Sequence, residues 1–305
     1  MAKSLPFRPV ERIGQGSVVH MLSFDVEEYF QVEGVRIAWE RGETFPRRVV
    51  AAVERILEVL AEGGASATFF VLGCVGESEP DLIRRIADAG HEIASHGMTH
   101  TMLTQLSRDQ FRRDLLASRA LLEDLTGRKV VGYRAPTFSI TARTTWALDV
   151  LAEAGFCYDS SVFPIRHDRY GIPQAPGKPH WAVGPEGGCI LEIPPLTVRV
   201  LGMNFPVGGG GYLRLLPRQV TAGALKHVQR KGRSAMLYLH PWELDADQPV
   251  LPMSLLERFR HRVGLGRTEG RLKFLLRNFA FSSVEKQLPV LKETAHQRYT
   301  YAGIV

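Results

Sequence analysis

Along the chain, short apolar runs alternate with stretches whose apolar residues recur every three or four positions. The run HMLSFDV at 20–26 predicts a strand. After it, RRVVAAVERILEVLAE places Val49, Val53, Ile56, Leu57 and Leu60 on one helical face, closed by Gly63 and Gly64. SATFFVLG predicts the next strand, EPDLIRRIADAG a short helix with Pro80 in its first turn and Gly90 as its stop, and HEIASHG a return to the sheet. Ser107 and Gln110 form a capping-box pattern that opens a helix to Leu125, ended by Gly127, and KVVGYRAP is the strand after it. TARTTWALDVLAEAG predicts a helix and FCYDSSVF an extended segment; beyond the apolar run CILEIPPLTV, 218–230 predicts a helix and SAMLYLH a buried strand. Repeated strand-then-helix order predicts an α/β fold on a parallel sheet, open or closed as a barrel.

Two segments interrupt this rhythm. Residues 163–188 are rich in Pro and Gly and read as a long surface loop, and FPVGGGGYLRLLP at 205–217 holds four consecutive glycines, Gly208 to Gly211. Long loops in a compact α/β domain tend to carry function. With no internal repeat and no clear linker, the pattern predicts an N-terminal extension at 1–19 and one domain at 20–285. That domain includes a basic helical segment from about 250, and a C-terminal tail occupies 286–305.

At 305 residues, with 45% hydrophobic and 23% charged residues, the chain has the composition of a soluble globular domain. No apolar run approaches the roughly 18 to 20 residues of a membrane span, so no integral membrane segment is expected. The first twenty residues lack the apolar stretch of a signal peptide, which points to the cytoplasm and leaves peripheral membrane attachment open. Cys74, Cys157 and Cys189 are odd in number and far apart, which argues against a disulfide framework and for buried small hydrophobes. The net charge of +6 would suit an acidic partner. The only clusters, Arg258 to Arg262 and Arg267 to Arg277, come without a nucleic-acid motif, so they read as solvated helical faces and no nucleic-acid partner is expected. Oligomeric state is left open.

Four polar clusters fall where strands end: Asp25 with Glu27, His96 with His100, Arg134 with Pro136, and His240 with Trp242. Parallel α/β folds bind ligands at the carboxyl ends of their strands, so four such ends predict one convergent site. Two residues apart on an extended strand, Asp25 and Glu27 share a face, and two carboxylates repel unless something positive lies beside them. One helical turn, or a tight loop, brings His96 and His100 to one point. Two imidazoles and one carboxylate leave coordination positions open for water, as in a catalytic metal site.

LSFDVEEYF, SHGMTH, GYRAPTFS and LYLHPWE occur in the order and rough spacing of the motifs of polysaccharide deacetylases. These are the carbohydrate esterase family 4 proteins with the NodB homology domain, and the resemblance covers about residues 20 to 245. With FPVGGGGYLRLLP and HPWELDADQP, the chain is most similar to the subgroup found with bacterial exopolysaccharide and exosortase (PEP-CTERM) loci. The resemblance implies a metal-dependent hydrolase that removes acetyl groups from N-acetylated sugars during exopolysaccharide biosynthesis, on a distorted (β/α) barrel of about seven strands. It implies Asp25 as catalytic base, His96 and His100 as metal ligands, Arg134 as the residue holding the base and His240 as catalytic acid. It also implies a backbone N–H at Thr137 for the oxyanion. The expected metal is zinc, with cobalt, nickel or iron also suited to the donors.

The family motif pairs two adjacent aspartates, whereas here Val26 fills the second position. Glu27 is the nearest substitute, with Glu28 as the alternative and a metal held by histidines and water alone as the remaining case. Asp159 in YDSS matches another family position near the site, although Val162 stands where an aromatic is usual. Pro136, Asp159, Tyr212 and Trp242 complete the expected substrate contacts, the last two as sugar-stacking aromatics, though a tryptophan there serves a core equally well. Two other functions remain open: hydrolysis of a cyclic amide or imide, and sugar binding without catalysis.

Overall fold

The computed structural model describes residues 18–32, 35 and 44–304, so residues 1–17 of the expected N-terminal extension lie outside the described residues. The strands are β1 (His20–Val26), β2 (Thr68–Val71), β3 (Glu92–Ser95), β4 (Gly132–Tyr133), β5 (Tyr158–Asp159), β6 (His180–Val183), β7 (Cys189–Glu192), β8 (Thr197–Val200), β9 (Met203–Pro206), β10 (Met236–Leu239), β11 (Phe281–Ser282) and β12 (Arg298–Thr300). The helices are α1 (Val49–Gly63), α2 (Gly73–Ser78), α3 (Pro80–Asp88), α4 (Arg108–Thr126), α5 (Ala147–Glu153), α6 (Gly210–Leu215), α7 (Arg218–Arg230), α8 (Leu255–Arg262), α9 (Leu265–Asn278) and α10 (Val284–Thr294). Among the described residues no helix is long and apolar enough to cross a membrane.

Seven strands run parallel in the order β10-β1-β2-β3-β4-β5-β7. Isolated parallel bridges close the ring, Pro195 beyond β7 against Met236 and Gly209 against Tyr238. This is the distorted (β/α) barrel, with β6, β11 and β12 added to its wall.

Side-chain alternation along the strands sorts residues into two layers. Leu22, Phe24 and Val26 of β1, Phe69 and Val71 of β2, and Leu237 and Leu239 of β10 face outward into the core shared with the helices. The alternate residues Met21, Phe70, Ala94, Tyr158, Leu191 and Met236 form a second core inside the barrel, plugged by Val284, Leu288 and Leu291 of α10. Up β1 the inward series runs Met21, Ser23, Asp25, passing from apolar plug to polar mouth.

Three expectations need correction. The division at 285/286 falls inside α10, and the segment beyond it is built into the barrel. The Val284 and Glu285 amides donate to Thr68 Oγ1 (2.8 Å) and Glu92 Oε2 (2.9 Å), which uses buried polar groups to satisfy the first amides of the helix, and β12 pairs with β6. Residues 163–188 are not all loop, because β6 pairs antiparallel with β7 and Phe163, Ile165 and Ile172 are buried. The glycine run is likewise structured, ending a β8–β9 hairpin and opening α6. A Cβ on Gly209 would lie 2.1 Å from the Tyr238 carbonyl oxygen, so only glycine allows this closing bridge. The three cysteines are free but half-buried rather than fully enclosed.

Candidate active site

The inward parity of four strands delivers the expected residues to one place. Asp25 and Glu27 continue the inward series of β1, His96 follows Ala94 just beyond β3, Arg134 follows β4 and His240 follows β10. SHGMTH is a tight loop rather than a helical turn: Gly97 adopts φ +84, where a side chain would be strained and its Cβ would meet Asp114 Oδ2 at 2.9 Å. Asp114 holds the loop by accepting a hydrogen bond from the Met98 amide (2.9 Å).

Donor atoms of Glu27, His96 and His100 lie within 4.8 Å of one another. Glu27 Oε2 is 2.9 Å from His100 Nε2 and 3.8 Å from His96 Nε2, and it is buried without an aligned hydrogen bond. His96 Nδ1 sits 2.8 Å from the Arg134 carbonyl oxygen, which makes Nδ1 the donor and leaves the Nε2 lone pair toward Glu27. Burial and the neighbouring His100 lower the His96 pKa to about 3, so the ring is neutral. Burial alone would raise the Glu27 carboxyl, but His100, His240 and His96 together hold it below its ordinary value. A buried carboxylate within reach of two imidazole nitrogens is a donor set that fits a divalent cation. Glu28 is occupied elsewhere, accepting the Arg48 amide beside the start of α1 (2.9 Å).

Beside this set, Arg134 is fully buried and donates from Nη1 to Asp25 Oδ1 (2.6 Å) and Ser23 Oγ (2.9 Å), from Nε to the Ser160 carbonyl (3.1 Å) and from Nη2 to Ser160 Oγ (2.9 Å). Its guanidinium also lies 4.1 Å above the Phe70 ring. Asp25 is therefore an acceptor fixed by a cation that cannot lose its proton. His240 Nε2 is 3.8 Å from both Asp25 Oδ2 and Glu27 Oε1.

The other face of His240 shows what the sequence pattern missed. His240 Nδ1 donates to Glu243 Oε1 (2.6 Å), and Glu243 Oε2 meets Arg214 Nε at 2.7 Å, so His240, Glu243 and Arg214 form a buried charge chain. Glu243 could have been found as the acid one turn after His240, whereas Arg214 arrives from α6 across the fold. Burial works against the charged imidazole, but Glu27, Glu243 and Asp25 outweigh it and raise His240 to about 9. Its folded value thus exceeds its ordinary 6.5: the associated stability is full below pH 6.5 and is lost as pH rises through about 9. Glu243→Gln is expected to lower the His240 pKa by about one to two units, the worth of a hydrogen bond to a charged group. An NMR titration of the His240 ring proton in metal-free protein measures this, and an unchanged midpoint would contradict the chain.

The expected substrate contacts divide. Thr137 is half-buried in a turn where it and Phe138 both have positive φ (55 and 50), a strained backbone of the kind stored at functional sites. Pro136 is buried beside it. Trp242 is no open platform: it is buried, stacks on His240 (5.1 Å) and His261 (4.5 Å), and donates Nε1–H to Glu27 Oε1 (3.0 Å). Asp159 offers a sugar no surface, because it is fully buried and alternates with the inward Tyr158 and Ser160, which turns it away from the barrel interior. It accepts from Ser161 and faces Glu192, burial raising both carboxyls so that the pair keeps a proton. Tyr212 is half-buried on α6 and makes no hydrogen bond to the cluster among the described residues.

Residues 36–158 match the family model for polysaccharide deacetylases. Within those bounds the chain matches a polysaccharide deacetylase domain. A domain of unknown function (DUF3473) matches residues 160–289, and the two matches meet at β5, inside one continuous sheet. The candidate site therefore draws His96, His100 and Arg134 from the first match, His240 from the second, and Asp25 and Glu27 from the strand before both. A chitooligosaccharide deacetylase of Sinorhizobium fredii (strain NBRC 101917 / NGR234) is 41% identical over 122 residues, 38% of this chain and 54% of that protein. The chain spans about a quarter to a half of the length of the curated relatives it matches. Among solved structures, one described as a polysaccharide deacetylase from Mycobacterium smegmatis has a TM-score of 0.62 at 20% identity, covering 98% of both chains. The PuuE allantoinase has a TM-score of 0.61 at 16% identity, covering 96% of this chain and 95% of its own. At these identities the likeness is one of fold.

Proposed function

We propose that this domain removes N-acetyl groups from an amino-sugar-containing polysaccharide or oligosaccharide by metal-dependent hydrolysis. The observation that carries the proposal is the adjacency of two units: the Glu27, His96 and His100 donor set, and the Asp25 and His240 pair, linked by 3.8 Å contacts between His240 and both acids. A divalent cation held by Glu27, His96 and His100, zinc or one of cobalt, nickel and iron, would supply Lewis acidity that lowers the pKa of bound water and polarises an amide carbonyl.

The chain's own residues then divide the proton work. Asp25, fixed by Arg134, accepts the proton of the attacking water as its oxygen bonds to the acetyl carbon. The Thr137 backbone N–H donates to the oxygen on which negative charge develops. His240, kept protonated by Glu243 with Arg214 behind it, donates to the departing nitrogen as the C–N bond breaks, leaving acetate and a free amine. Trp242 orients Glu27 through its indole N–H, the kind of outer partner that fixes a ligand. The similarity of the glycine-rich segment to the exopolysaccharide-locus subgroup supports biosynthesis of such a polymer as the setting.

The approach of Asp25, Arg134 and His240 to the Glu27, His96 and His100 donor set supports catalysis over sugar binding alone. The same groups would also serve a cyclic amide. Incubation with N-acetylglucosamine oligomers and, separately, allantoin in the presence of Zn²⁺ distinguishes the two. Acetate release from the oligomers is expected, while ring opening of allantoin with no acetate from oligomers would overturn the proposal.

A further inference from the structure

Strands β8 and β9 pair with each other in a two-stranded sheet of their own. Their register sets Val198 opposite Phe205 and Val200 opposite Met203, and on the other face Thr197 opposite Pro206 and Arg199 opposite Asn204. Directly opposed residues share a face, so one side of this ribbon is wholly apolar. Val200, Met203 and Phe205 on that side are exposed, and Leu201 at the tip is 94% exposed. Leu201 and Gly202 both hold positive φ (49 and 82), and a branched apolar residue is the opposite of what such a turn favours. The fold leaves roughly half of Val200, Met203 and Phe205, and nearly all of Leu201, in water.

The reverse face of the ribbon is cationic. Arg199 and Asn204 line a cavity of about 760 Å³ with Lys178, His227, Lys231 and Arg233, and among the described residues its walls contain no carboxylate. Among the described residues none of the four Lys and Arg side chains forms an ion pair. The asymmetry extends along the sequence: residues 193–242 hold seven Lys or Arg and no Asp or Glu. Of 38 basic and 32 acidic residues in the chain, the remainder therefore has 31 against 32. The whole net positive charge resides in the segment that carries the ribbon.

We propose that the β8–β9 ribbon docks the protein onto an anionic lipid surface. Apolar side chains at the tip of a short ribbon suit the acyl boundary, and unpaired cations behind them suit headgroup phosphates. A polyanionic chain would satisfy the cations but leave Leu201, Met203 and Phe205 in water. A second copy would bring one uncompensated cationic segment against another.

Vesicle flotation of the full chain tests this, using phosphatidylcholine with about 30% phosphatidylglycerol against phosphatidylcholine alone. Binding is expected only to the anionic vesicles at about 0.1 M salt, weakening at about 0.5 M. The double variant Leu201→Glu/Met203→Glu should reduce partitioning at least about tenfold while leaving acetate release from soluble oligomers and the melting temperature unchanged. The control Val290→Glu, at an exposed position on α10, should bind as the parent does. Lys231→Gln with Arg233→Gln should weaken binding and flatten its salt dependence. Equal binding to neutral vesicles, no flotation with anionic ones, or full binding by the double variant would overturn the proposal. So would vesicle-free sedimentation showing that the parent self-associates and the double variant does not.

Discussion

Asp25→Asn is expected to reduce kcat for acetate release from N-acetylglucosamine oligomers by about 10²–10⁴-fold, the range that a positioned general base supplies. The substitution keeps the side-chain shape and an oxygen to accept from Arg134 Nη1. Arg134 also retains Ser23 Oγ, the Ser160 carbonyl and Ser160 Oγ as acceptors. What disappears is an anionic proton acceptor beside the donor set. KM should therefore change little, and bound metal should stay at the parental level, because Asp25 lies outside the Glu27, His96 and His100 group. A variant within about tenfold of the parental kcat would remove Asp25 from the role of base.

Strand parity explains which parts of this site could be read from the sequence. Asp25 and Glu27 are two apart, and β1 stays extended through Val26, so the second acid falls on the inward side while Val26 packs outward. The missing aspartate is thereby replaced by the next residue of the same parity. Asp159 failed by the same rule: Tyr158 points inward, so its neighbour cannot, and it pairs with Glu192 instead. The fold class was legible because central parallel strands are short, apolar and separated by amphipathic helices. The additions β11 and β12 were not, since they have only two or three residues each and owe their place to partners far along the chain.

Long-range partners also account for the unread half of the site. Glu243 follows His240 by three residues, but the Arg214 that balances it comes from a glycine-rich segment whose pattern predicts only a loop. Trp242 illustrates the limit from the other side. A tryptophan at a strand end suits stacking on sugar or burial in a core, and here its indole N–H meets Glu27. No local pattern separates these outcomes, because the acceptor lies 215 residues away.

The central claim is that Glu27, His96 and His100 act as one ligand set. His96 contributes a neutral ring with Nδ1 committed to the Arg134 carbonyl, and its Nε2 faces Glu27 Oε2 at 3.8 Å, so its removal should cost a whole donor. Even partners outside a ligand shell carry about 10–100-fold in metal affinity, so His96→Ala is expected to exceed that range. His167→Ala serves as the control, since His167 lies outside the set and pairs with Asp168. The deciding measurement is the amount of zinc retained after equilibrium dialysis of parent, His96→Ala and His167→Ala proteins at equal concentration. The account predicts about one zinc per chain in the parent and the control, and less than about a tenth of that in His96→Ala. Full retention by His96→Ala would contradict it.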